Sequence, residues 1–142
     1  MRNLYAGLKV VKCDTATADG FGDTITSDAV DITGATSVLC CVDLGAIAAT
    51  GTATIQVTEC ATSGGSYTDI TGATIAAAAD DDNKILFLEV VNPTLQYLKI
   101  DVDRATANSA INTMFCICNV AHGVLPVVQD ATVAATPTRH VG

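Results

Sequence analysis

The sequence predicts an all-β protein: an antiparallel β-sandwich of immunoglobulin-like or jelly-roll type, with about seven strands and an extended C-terminal arm. Three observations carry this expectation. Apolar residues recur with period two over most of the chain, as in strands with one buried face. Clusters of Gly, Asn, Asp and Ser such as "ADGFGD", "ATSGGSY", "DDDN" and "ATANS" separate these runs at close intervals. No window carries a capped stripe with a 3.6-residue period. "IAAAAD" holds helix formers but is too short to stand without packing.

In chain order, strands are expected near residues 8–13 and 24–32. "TSVLCCVDL" (36–44) and "KILFLEVV" (84–91) are apolar on both faces, which suits central strands with core on one side and a neighbour on the other. "GTATIQVTEC" (51–60) sets Ala53, Ile55 and Val57 against Thr54, Gln56 and Thr58, so one face is buried. "LQYLKIDVDR" (95–104) is the cleanest strand, with Leu98, Ile100 and Val102 inward and Tyr97, Lys99, Asp101 and Asp103 outward. "INTMFCICNV" (111–120) closes the series, placing Met114, Cys116, Cys118 and Val120 opposite Ile111, Phe115 and Ile117. The sandwich domain is expected to span residues 1–122 and the arm 123–142.

The hexamer "DITGAT" occurs at residues 31–36 and again at 69–74. The flanks of the two copies diverge and no third copy follows, so a solenoid or propeller is excluded. Each copy reads as turn grammar: Ile32 or Ile70 ends a short strand, and Gly34 or Gly72 lets the backbone turn.

Composition bounds the function. A chain of 142 residues fits one domain with a real core. Charged residues make up 15%, against roughly 25% in typical soluble proteins. Such a surface is sparsely dressed for water and suits a chain that always has neighbours. The net charge of −8, with seven Lys and Arg spread thinly, argues against nucleic-acid binding, which needs a basic face. The longest apolar runs fall short of the roughly 20 residues that span a bilayer, so no membrane role is expected. "MRNLYAGLKVVKCD" is broken by Gly7 and Lys9 and makes a poor signal peptide, so synthesis in the cytoplasm is expected.

Residues with chemical potential are few. Cys40 and Cys41 are neighbours that point to opposite faces of a strand, while Cys116 and Cys118 share one face. Neither pair has the gap of a zinc or redox motif, so free buried thiols are expected, with Cys13 and Cys60 partly exposed. "DDDN" (80–83) lacks the alternating carboxylates, central Gly and closing Glu of a calcium loop and reads as a solvated turn. Asp101 and Asp103 share a strand face, where paired carboxylates invite a glycosidase reading, but Lys99 beside them marks a solvent face. His122 and His140 have no Ser or Cys nucleophile motif beside them. No catalytic residue, metal ligand or cofactor is nominated, and the chain is read as a non-enzyme.

The order of "VDITGATSVLCCVDLG", "TATIQVTECATSGGSYTDITGAT", "DDDNKILFLEV" and "LQYLKIDVDRAT" resembles small virion proteins of tailed bacteriophages, the head decoration or cement proteins. The matching elements are Ser63 to Ser66, Tyr67, Asp69, Ile70, Gly72 and Ala73, then Asp80 to Asn83, then Tyr97, Lys99 and Arg104, within roughly residues 22–120. The resemblance implies a β-sandwich on the outer surface of an expanded capsid in the virion, commonly a homotrimer at three-fold positions. Its partner would be the major capsid protein, whose shell it stabilises. A phage neck or tail component and a carbohydrate- or receptor-binding module are the alternatives; the lack of Trp counts against a sugar platform.

After Val120 the alternation lapses, and Pro126 and Pro137 forbid helix. The candidate interface is the extended segment Val124, Leu125, Pro126, Val127 and Val128, whose apolar side chains would be costly to leave in water. It is expected to lie on a neighbouring subunit.

Overall fold

Alternation along the chain builds strands, and a shared apolar face brings them together. The computed structural model describes residues 7–14, 17–120 and 128–133. The first sheet contains β1 (Leu8–Asp14), β2 (Thr17–Gly20), β5 (Ala35–Ile47), β8 (Ile85–Val91) and β10 (Ser109–Val120). The second contains β3 (Asp23–Thr26), β4 (Val30–Asp31), β6 (Thr52–Cys60), β7 (Thr68–Ala78) and β9 (Tyr97–Ala105). The orders are β1-β10-β5-β8, with β2 also on β10, and β3-β9-β6-β7, with β4 also on β9. All the pairings are antiparallel, and the inner faces pack as a β-sandwich.

Both sheets feed one core. The first contributes Val11, Val38, Cys40, Val42, Leu44, Met114 and Cys116, and the second Val30, Ile55, Val57, Leu98, Ile100 and Val102. Most of these are β-branched Val and Ile, suited to a pleated surface, with Leu44, Leu98 and Met114 filling the larger gaps. The cluster includes no aromatic ring among the described residues.

The alternation expected in β6 and β9 is present: Ala53, Ile55, Val57, Leu98, Ile100 and Val102 are all buried. Four expectations need correction. Ten strands form rather than about seven, because residues 24–32 divide into β3 and β4, β2 adds a short strand, and β7 adds one of 11 residues. Among the described residues β8 is an edge strand, hydrogen-bonded only to β5, although its sequence is apolar on both faces. Ile111 is on the core side with Met114, since register shifts around Ile111 and Thr113 reset the alternation. Cys13 and Cys60 are buried, like the other four thiols, and all six are free.

The two hexamers share a left-handed glycine and use it differently. In the first, Ala35 N donates to Ile32 O (2.9 Å) across Thr33 and Gly34, whose φ is +79°. Asp31 Oδ1 accepts from Thr33 N (3.0 Å) and Thr33 Oγ1 (2.6 Å), fixing the turn that carries the chain between sheets. In the second copy Ile70 does not end its strand. Gly72, at φ +81°, lies in a bulge of β7, where residues 70–73 stand against Val57 between the pairs Gln56–Thr74 and Thr58–Asp69. Gln56 Nε2 fills the gap by donating to Ile70 O (3.2 Å).

Arg104 fastens the sheets at one end. Its guanidinium is buried, donates to Asp23 from Nε (2.8 Å) and Nη2 (2.6 Å), and donates from Nη1 to Ser109 O (2.8 Å). The hydrogen bond from Arg104 holds the Asp23 carboxyl below the usual carboxylate range. A lowered folded-state pKa contributes stability above the unfolded value of about 3.9 that is lost as pH falls through the folded value. The urea midpoint is therefore expected to fall in acid below about pH 4, and Asp23→Asn to flatten that slope. An unchanged slope in the variant contradicts this assignment.

Candidate functional site

The two outer faces of the sandwich differ. On the second sheet, Thr24, Thr54 and Asp103 form one row, and Thr26, Gln56 and Asp101 another. Asp101 accepts from Thr26 Oγ1 (2.6 Å) and Thr58 Oγ1 (3.4 Å), and Lys99 Nζ lies 4.7 Å from the centre of the Tyr67 ring. This face is dressed for water, and the paired aspartates belong to it.

The outer face of the first sheet carries an apolar band bordered by polar residues, among them Ser37, Asp43, Thr113 and Asn119. In register across β1, β10, β5 and β8 run Lys12, Phe115, Cys41 and Phe87, and beside them Val10, Ile117, Leu39 and Glu89. Cys41 is buried yet stands outside the core cluster, in register between two phenylalanines. Burial pushes its thiol up to about 12, so it remains a protonated apolar group. Phe87 is 56% exposed, and Ile85 and Val91 beside it on β8 are also exposed. All three phenylalanines lie outside the core, the third being Phe21, 63% exposed between Gly20 and Gly22. Aromatic side chains give the largest return on burial, yet the phenylalanines stand outside this aliphatic core.

The sheet's two edges are also treated differently. β1 is sealed by the chain itself: Gln129 accepts from Val10 N (2.9 Å) and donates to Leu8 O (2.6 Å), and Thr132 Oγ1 accepts from Lys12 N (3.0 Å). β8 has no proline or lysine within its span, and its edge away from β5 is open among the described residues. Natural sheets blunt such edges unless another chain uses them. Leu86 and Leu88 of β8 are only part-buried against the core and Ile75 of β7 is exposed, so the sandwich is also loosely closed along this side.

Of the candidate interface residues, Val124, Leu125, Pro126 and Val127 lie outside the described residues, as do His122 and His140. Val128 is 85% exposed, directly before the Gln129 clamp on β1. The structure therefore places the described part of the tail against its own first strand. In "DDDN", Asp82 Oδ1 accepts from Ile47 N (2.9 Å), and Asp81 accepts from Ala78 N (3.2 Å) and pairs with Lys84 (3.5 Å). These carboxylates cap local backbone in and after the 3-10 turn Ala79–Asp81. The outer face of the first sheet was legible as "KILFLEVV", apolar at both parities; what periodicity could not tell was that this strand lies at an edge.

No protein family, curated protein or solved structure matches the chain. The fold and surface together define a β-sandwich with a polar outer face on one sheet and an apolar band on the outer face of the other.

Proposed function

We propose that the chain is a non-enzymatic virion structural protein that decorates the outside of a phage capsid as a cement protein. In this reading it is made in the host cytoplasm, assembles as a homotrimer and binds the major capsid protein. The sandwich is then of the immunoglobulin-like or jelly-roll type, with residues 123–142 as an arm. The observation that carries the proposal is the apolar band on the outer face of the first sheet ending at the open edge of β8, with Phe87, Ile85 and Val91 exposed. A face of this kind fits permanent contact with other chains better than solitary existence in water. Low charge and the resemblance in strand order support the same reading.

Gold-labelled antibody on particles of the encoding phage tests it. Label over the head is expected. Label confined to the neck or tail supports the nearest alternative, and specific binding on a glycan array supports a carbohydrate-binding module; either result overturns the cement assignment.

A further inference from the structure

The link from β2 to β3 carries an exposed aromatic ring on a rigid mount. Phe21 is 63% exposed between Gly20 and Gly22, where the chain passes from the first sheet to the second. Gly22 takes φ +75°, a conformation that favours glycine, and its N donates to Arg104 O (2.6 Å). Gly20 lies so close to the Arg104 guanidinium that a Cβ there would meet Nη2 at 2.9 Å, and Asp23 accepts from the same guanidinium. Two glycines and a buried arginine therefore fix the backbone on both sides of a ring left in water. An aromatic anchor held in place beforehand lowers the ordering cost of binding.

A hole opens at the same end of the sandwich. It measures about 260 Å³ and lies between residues 49–52, at the turn from β5 to β6, and Ala78, Ala79 and Asp80. Its walls are Ala, Gly, Thr and Asp, and none of these side chains is large enough to fill it. Both walls are braced. Gly51 N donates to Ala48 O (2.7 Å) and Ala48 N to Asn108 O (2.9 Å), while Asp82 and Asp81 accept from Ile47 N (2.9 Å) and Ala78 N (3.2 Å). A cavity of roughly 150 Å³ holds a benzene ring, so this one has room for a phenylalanine side chain.

Knob and hole stand at one level but on opposite sides. In the first sheet Ser109 pairs with both Gly20 and Ile47, and in the second Asp23, Arg104, Ala53 and Ala77 share one row. Phe21 follows Gly20, and the hole follows Ile47 and Ala77. Yet β2 and β3 line one side of the sandwich, whereas β8 and β7 line the other. We propose that Phe21 of one copy seats in this hole on the next copy, so that the homotrimer closes as a head-to-tail ring. The inference rests on the homotrimer of the proposed function and names its contact. Because knob and hole face opposite ways, each copy joins two different neighbours, and their common level suits a ring that closes rather than a filament. The open edge of β8, with Ile85 and Phe87, is on the hole's side and so faces the same neighbour. Matching size and level in two features of one chain is what assigns the occupant to a second copy.

Light scattering on full-length chains, alone and mixed, tests the contact. Phe21→Ser removes the ring and Ala49→Trp fills the hole; both positions are exposed, so each variant keeps the fold, which a urea titration reads. Each alone is expected to lose self-affinity by roughly 30-fold or more. Mixed in equal amounts, the two are expected to form a species of two chains and none larger, since Phe21 of the Ala49→Trp copy still finds an open hole on the Phe21→Ser copy. A trimeric wild type whose two variants remain trimers overturns the contact and leaves the homotrimer standing, as does a mixture that holds monomers alone. A wild-type chain with the mass of one copy overturns both.

Discussion

Phe87→Asp is expected to abolish self-association while leaving the fold intact. In the single chain this ring is 56% exposed on the outer face of β8, so replacing it should change unfolding stability by no more than about 0.5 kcal/mol. The same position lies in an apolar band with Cys41 and Phe115, and in the proposed assembly a carboxylate there would have to be desolvated without a partner. Truncating an aromatic anchor costs roughly 2 kcal/mol or more, about a 30-fold loss of affinity, and a buried charge adds to that. Sedimentation velocity reads the loss and a urea titration confirms the fold. Asp103→Ala, on the polar face of the second sheet, is the control and should associate normally. Equal association of wild type and Phe87→Asp would mean that the apolar face is not the contact surface.

The complementary result is expected at Leu98, where substitution damages the fold itself. Leu98 is wholly buried in β9, in register between Val30 and Glu59, and is among the largest fully buried side chains. The described core around it is aliphatic and rich in β-branched Val and Ile, whose stiff side chains are poorly able to collapse into a vacancy. Leu98→Ala should therefore cost about 2–5 kcal/mol, a large share of the roughly 5–15 kcal/mol that holds a domain together. The melting temperature should fall by roughly 6–15 °C. Lys99→Ala, next in sequence on the outer face, should cost under about 1 kcal/mol, since its half-exposed contact is with the Tyr67 ring. Similar losses at Leu98 and Lys99 would contradict the assignment of inner and outer faces in β9.

How much of this was readable beforehand depends on where the period-two signal is interrupted. β9 alternates without a break, whereas in β6 Ala53, Ile55 and Val57 are inward as expected but Thr58, expected outward, is buried too. β7 was underestimated because Gly72 and the alanine run after it look like a turn followed by a weak helix. Its strand is completed by pairing with β6, from Thr52–Ala78 to Glu59–Thr68, and such long-range pairing leaves little mark in local sequence. Ile111 was misplaced for a related reason, since a bulge shifts parity and has no fixed residue signature. The apolar character of "KILFLEVV" was plain, but only sheet order could show that its outer side chains meet solvent in the single chain. Nor could the sequence align Cys116 with Cys40, which come from two strands far apart in the chain.

In the proposed function, the apolar band of the first sheet is covered by further copies of the chain and by the shell. Light scattering on the full-length protein, with and without reductant, addresses the first part directly. The mass of three chains is expected in both conditions, because all six thiols are buried within a single chain and none is needed to join copies. A mass of one chain at every concentration, with the β8 face left in water, would contradict the claim.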